Sequence, residues 1–389
     1  MNNKKVCMIV NEYYPKDFRV RREAEALYEK GFEVDVICLK KDREKYFEKW
    51  NNITIFRMPV KRRRGSPLIV YLTEYLMFFL FSLVTLNILY LKKYYTYVHI
   101  SNPPDFLVFV GIIQKILGEK IILDIHDRIP LLYSTRFNCD TESRMIHLLK
   151  FVEKISAKYA TGIITAVDVY KNYFLKISGH QKIETVLNTA DEKYFYPRIK
   201  IMYESKKKLK LFHHGTLVKR YGLDVLILAV KEVISKGYDC ELTIYGEGNY
   251  YDELQKIVID KKLKNRVFFK GFLLIDYLPE KIAESDLCIV PNRQGVFMNT
   301  ILPTKLLEYI VMEKPVITSR TEGITVYFSD KELTFFEPEN INELSEKIIE
   351  FINNQDKFYA KVNFAKQKYE LIKWEIQKDK LLNFYEKII

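Results

Sequence analysis

FHHGTLVKRYGLDVLILAV, residues 212–230, holds a strand end, a glycine-bearing loop and a helix start within one short stretch. The apolar run from Leu209 ends at His213 or His214, a polar loop containing Gly215 and Gly222 follows, and helical periodicity begins near Leu223. A strand that passes to a helix through such a loop is the repeating unit of a parallel α/β sheet. The first amides and the dipole of that helix suit a phosphate. Lys219 and Arg220 stand at the same mouth, where a cation neutralises a departing diphosphate in place of Mg²⁺. An exposed basic loop would carry the same residues.

Two further stretches repeat the plan. In ELTIYGEGNYYDEL, residues 241–254, Gly246 and Gly248 follow a strand and precede a helix, as expected either of a backbone that a ligand approaches or of a tight structural turn. In NTILPTKLLEYIVMEKPVITS, residues 299–319, Pro303 suits the first turn of a helix ending near Glu313. Thr304, Lys305 and Glu308 share one face of its N-terminal end, offering donors to an anion and a carboxylate to hydroxyls. Nearer the N-terminus, IILDIHDRIP, residues 121–130, ends a strand with Asp124, His126 and Asp127, at the carboxyl end where open α/β sheets keep their sites.

Working outward, strands are predicted at Val6–Val10, Glu33–Leu39, Ile53–Arg57, Val98–Ile100, Ile121–Ile125, Gly162–Thr165 and Thr185–Leu187. A polar linker through Lys206, Lys207 and Lys208 separates them from a second set at Leu209–His213, Glu241–Tyr245, Val267–Lys270, Leu287–Val290, Val316–Thr318 and Leu333–Phe336. The expected architecture is α/β, with two Rossmann-like domains facing across a cleft. Residues 1–190 form the first and 205–365 the second, and the helices of 366–389 cross back to the first. His126 would then point into the cleft.

The 389 residues carry a net charge of +12, which favours an anionic partner: nucleic acid, lipid surface or phosphorylated substrate. No nucleic-acid motif or basic-aromatic stripe is present, so nucleic acid is not expected as a partner. Cys7, Cys38, Cys139, Cys240 and Cys288 show no C-x-x-C spacing, and the N-terminus reaches charges too soon for a secretory signal, so a cytoplasmic address is expected. From Leu68 to Leu91 the single charge is Glu74, with Lys61-Arg62-Arg63-Arg64 before it and Lys92-Lys93 after. Spanning a bilayer would split one Rossmann sheet. A helix over 67–92 that lies in the interface of an anionic membrane, peripheral on the inner face of the plasma membrane, is the expectation; a buried core helix is the alternative.

Taken together, HGTLVKRYGLD, the G-E-G turn, PTKLLEYIVMEKPVITS, DIHD and the opening NEYYPKDFRVRREAEAL resemble the retaining family 4 glycosyltransferases of GT-B fold. ATGIITA at 160–166, LNTADEKYF at 187–195, FFKGF at 268–272 and Trp374 agree in order along nearly the whole chain. The resemblance implies a nucleoside diphosphate sugar donor, UDP by default, bound in the second domain, with an acceptor held by the first and the anomeric configuration retained. It assigns His126, Arg220 and Lys305 to catalysis. Donor binding falls to Gly215, Thr216, Lys219, Arg220, Gly246, Gly248, Phe272, Thr304, Lys305 and Glu308. Arg220 looks like the family's phosphate-binding arginine, Glu308 like its ribose-binding carboxylate and His126 like the histidine beside the transferred sugar. Two positions depart from the pattern: Tyr221 replaces the lysine that usually follows the arginine, and Thr300 replaces the first glutamate of E-x7-E.

The expected reaction is metal-independent transfer of a hexose or N-acetylhexosamine to a lipid-linked or growing glycan acceptor, with no cofactor. A sugar-nucleotide epimerase of the same architecture, or a non-catalytic partner of another transferase, are the competing readings. Donor turnover separates the last of these from the others.

Overall fold

A computed structural model describes residues 4–63, 68–137, 139–179, 182–197 and 208–388. Arg64, Lys206, Lys207 and the start of the 67–92 segment at Pro67 lie outside the described residues. The chain forms two compact units: Met1–Asn188 with Glu375–Ile389, and Thr189–Trp374.

In the first unit, strands β1 (Lys5–Val10), β2 (Glu33–Leu39), β3 (Phe47–Trp50), β4 (Ile53–Met58), β5 (Tyr97–Ser101), β6 (Lys120–Ile125), β7 (Gly162–Thr165) and β8 (Ile183–Thr185) form one sheet in the order β3-β4-β2-β1-β5-β6-β7-β8. All neighbours run parallel except β3 and β4. Runs such as Val6–Ile9 are buried without interruption, as a sheet covered on both faces requires. The hairpin strand β3 gives no alternating apolar signal, since FEKW is short and charged; Asn51 and Asn52, with φ of 46° and 63°, make its two-residue turn. The last strand lies two residues earlier than the apolar pattern predicts, because Ile183 rather than Leu187 pairs with Ile163.

The second unit contains β9 (Leu209–His214), β10 (Cys240–Tyr245), β11 (Val267–Phe269), β12 (Leu287–Val290), β13 (Val316–Ser319) and β14 (Thr334–Phe336), all parallel, in the order β11-β10-β9-β12-β13-β14. This is the doubly wound order of a Rossmann sheet, and it reverses between β9 and β12. In the first unit the reversal falls between β1 and β5. Helices Leu223–Ser235 and Ile341–Asn353 pack together over the second sheet through Leu226, Val230, Ile348 and Phe351.

Helices Ile341–Asn353 and Gln355–Glu370 stay with the second unit. Of the segment 366–389, residues 366–374 also stay there, because Val362, Ala365 and Tyr369 bury their side chains in that unit. Helix Trp374–Lys387 brings the rest into the first unit, where Tyr97 Oη donates to the Tyr385 carbonyl at 3.0 Å and His99 Nδ1 lies 2.7 Å from Tyr385 Oη.

The apolar segment forms helix Leu68–Lys93. Its inner face, with Phe78, Ser82 and Leu86 fully buried, packs on the turn Asp105–Gly111 and against β1 and β4. Asn87 Oδ1 accepts from Gln114 Nε2 at 2.9 Å, and Tyr90 Oη donates to Glu119 at 2.8 Å. The outer face is apolar and open, from Ile69 through Leu72, Leu76, Leu80, Val84 and Ile88 to Leu91, the last 77% exposed. By length and composition the helix could cross a membrane. Strands β4 and β5 on either side of it nevertheless lie in one sheet. Four cysteines are buried free thiols, and burial pushes Cys38, Cys240 and Cys288 up to about 12.

Candidate functional site

The carboxyl end of β9 delivers two successive histidines to helix Thr304–Val311. His213 is fully buried; its Nδ1–H donates to the Ile289 carbonyl at 2.8 Å, so Nε2 turns its lone pair to Lys305 Nζ at 3.3 Å. Burial and the neighbouring ammonium of Lys305 hold His213 well below its ordinary pKa, and it is neutral. His214 Nε2–H donates to Glu308 at 2.8 Å, while Tyr309 Oη donates to His214 Nδ1 at 2.9 Å and accepts from the His214 amide at 3.1 Å. Glu308 is thereby held in one orientation at the sheet end.

Lys305 reaches over Gly215, whose φ is +133° and whose absent Cβ would sit 2.4 Å from Nζ. Its ammonium also lies 4.5 Å from the centre of the Tyr221 ring. Tyr221, in place of the usual lysine, adds an aromatic face under the cation rather than a second charge. Burial lowers the Lys305 pKa to about 8, against a smaller opposing pull from Glu308.

Lys219, Arg220 and Tyr221 form a single 3-10 turn closed by Gly222, φ +65°, which begins helix Leu223–Ser235. A Cβ on Gly222 would sit 1.9 Å from the Pro291 carbonyl oxygen, so only glycine lets the loop lie against β12. Lys219 is exposed and Arg220 half-buried; neither makes an ion pair among the described residues, and Arg220 Nε is buried without a hydrogen-bond partner. Thr304 begins its helix, with Pro303 at the cap rather than within the first turn. Thr216 and Phe272 are exposed, Phe272 at 67%, on loops beyond β9 and β11.

Gly246 and Gly248 have a different neighbour from the one a ligand reading suggests. A Cβ on Gly246 would lie 1.8 Å from the Gly215 carbonyl oxygen, and one on Gly248 2.1 Å from that of Leu217. Gly215 N–H donates to the Tyr245 carbonyl at 2.9 Å and Leu217 N–H to Glu247 at 2.9 Å. The glycine pair lets loop lie on loop, and so shapes the loop bearing Gly215. Sequence reasoning did not assign His213, His214 and Tyr309; paired histidines at a strand's end were the available signal.

In the first unit, His126 follows β6 and is 8% exposed. Its backbone N–H donates to Asn102 Oδ1 at 2.8 Å, and its Nε2–H donates to Asp124 at 2.5 Å. Burial opposes charge on Asp124, yet His126 and His99, the latter at 3.4 Å, hold the carboxyl well below the usual range. Glu23 beside them is pushed up by burial and by Asp124. Glu23, Asp124 and His126 bring possible ligand atoms within 4.8 Å of one another, but the short His126–Asp124 hydrogen bond occupies that arrangement. His126 borders a cavity of about 180 Å³ whose walls include Asn11, Arg19, Asn102, Asp127 and Arg136. It opens at the reversal between β1 and β5, where such sheets bind ligands.

Two doubly wound Rossmann-like units in one chain define the GT-B class of fold. Residues 198–369 match the model of the family described as glycosyl transferases group 1. The chain is 21% identical over 237 residues to the alpha-D-kanosaminyltransferase of Streptomyces kanamyceticus, covering 56% of this chain and 57% of that protein. It thus spans a little over half of that relative's length. In structure it is similar to sucrose-phosphate synthase from Thermosynechococcus elongatus, with TM-score 0.78 and 16% identity over 99% of each chain. It is also similar to Anabaena HepE in complex with UDP-glucose, with TM-score 0.73 and 14% identity over 98% of this chain and 99% of that one. At these identities the two structures speak for the fold.

Proposed function

We propose that the chain is a retaining glycosyltransferase that moves a hexose or N-acetylhexosamine from a UDP-sugar to a lipid-linked or growing glycan acceptor without a metal ion. The observation that carries this is the set of groups at the carboxyl end of β9: Lys305, Lys219 and Arg220, which make no ion pair among the described residues, beside a fixed Glu308. Cations and two helix N-termini suit a diphosphate; an oriented carboxylate suits ribose hydroxyls. The match of residues 198–369 to the glycosyl transferase model covers this same region, and the UDP-glucose complex of the similar Anabaena protein favours UDP.

In this reading the bond between sugar and diphosphate loosens while Arg220, Lys305 and the amides of Gly222 onward stabilise the leaving group. The diphosphate then helps deprotonate the acceptor hydroxyl arriving on the same face, and His126 contacts the transferred sugar. The open apolar face of helix Leu68–Lys93, with Arg63 and Lys92 exposed at its ends, supports docking in the interface of an anionic membrane on its cytoplasmic side, without spanning it.

Thermal melts with UDP, GDP, ADP and TDP and their sugars test the donor. A ligand at a hundred times its Kd adds about 2.7 kcal/mol to the native state, so UDP ligands are expected to raise the melting temperature most, equally with and without EDTA. A response that needs Mn²⁺, or none to any nucleotide, would overturn the assignment.

A further inference from the structure

We propose that the cavity of the first unit binds the phosphate of a membrane-embedded lipid, with Arg136 as the residue that recognises it; as the acceptor site of a transferase, this rests on the glycosyltransferase reading above. The cavity's three arginines differ in how their charge is met. Arg19 donates to Asp17 at 3.1 and 2.9 Å, and Asp127 adds to the negative charge around it. Arg62 is paired with Glu12. Arg136 has no carboxylate partner among the described residues: its Nη2 donates to Tyr71 Oη at 2.6 Å, and its guanidinium lies 4.6 Å from the centre of the Tyr71 ring. A planar fork pinned by an aromatic ring and left with unpaired donors is suited to a phosphate.

Position selects the kind of phosphate. Arg136 is exposed at the rim, whereas His126 is nearly buried. Tyr71 and Tyr75, which wall the cavity, belong to helix Leu68–Lys93, and the residues next to them, Leu72 and Leu76, are 47% and 55% exposed on its open apolar face. One helical turn therefore offers an apolar surface outside and a cation-rimmed pocket inside. A molecule with an acyl or isoprenoid tail and a terminal phosphate contacts both at once; a water-soluble sugar phosphate leaves the apolar face uncovered.

Phosphatidylcholine vesicles doped with phosphatidate, compared with vesicles doped with phosphatidylglycerol at matched surface charge, separate a terminal phosphate from diffuse charge. The full chain is expected to bind phosphatidate vesicles about tenfold more tightly, the scale of one charge-assisted pair. Arg136→Gln should abolish that preference while its affinity for phosphatidylglycerol vesicles changes by less than about twofold, and Arg136→Lys should keep part of it. Millimolar inorganic phosphate should compete only weakly. Equal affinity of the wild type for the two vesicles, a preference that survives Arg136→Gln, or full competition by inorganic phosphate would each overturn the site. UDP melts of the same samples keep the two readings apart: an Arg136→Gln chain whose first unit melts at the wild-type temperature is folded where the site lies, and a wild type that prefers phosphatidate yet ignores UDP overturns the donor reading and not this site.

Discussion

Lys305 carries a charge that folding disfavours and a diphosphate would favour. Its pKa is lowered by burial to about 8, whereas the unfolded chain holds that proton to about 10.4. Between those values the unfolded state binds more protons, so this residue's contribution to stability rises with pH. With Lys305 meeting the diphosphate as proposed, donor binding uses the protonated form and is expected to weaken as pH passes about 8. Titration calorimetry with UDP on either side of that pH should show the fall, and Lys305→Met should remove the inflection along with most of the affinity. An unchanged pH profile in the variant would assign the charge elsewhere. The sequence placed Lys305 and Glu308 on one helical face, but the partners His213 and His214 come from a strand about ninety residues away, which helical spacing does not report.

At the scale of the element, helix Leu68–Lys93 shows how far composition reaches. Its two faces are almost equally apolar, so no amphipathic pattern marks the side that packs. Burial separates them, with Phe78 and Leu86 inside and Leu80, Val84 and Ile88 outside. Replacing Leu80 and Val84 by glutamate should leave urea-unfolding stability within about 0.5 kcal/mol per site while abolishing flotation with anionic vesicles. Phe78→Ala should cost about 3–5 kcal/mol. A double glutamate variant that still floats would place membrane attachment on another surface.

Over the whole molecule, the last helix is the part whose position in the chain says least about its place in the fold. Leu381 and Tyr385 are fully buried in the first unit, and Gly162 leaves room for the Phe384 ring, which would stand 2.7 Å from a Cβ there. Deleting residues 375–389 uncovers β5 and β7 and removes the His99 partner at 2.7 Å. Each lost large apolar side chain is worth about 1.5–3 kcal/mol. Scanning calorimetry should then show loss of the first unit's transition with the second unit's transition intact; a single unchanged transition would refute this. The alternation of short buried strands and longer helices, the two-unit plan, and the lysine and carboxylate on the helix after Pro303 were all legible in the sequence, because each is written in neighbouring residues at a fixed period. The tertiary structure alone decided that the glycines of the G-E-G turn make way for another loop, that Tyr221 lies under Lys305, and that Arg136 stands beside Tyr71 with no carboxylate partner among the described residues. These depend on contacts between segments far apart in the chain, where distance and burial, not spacing, set the chemistry.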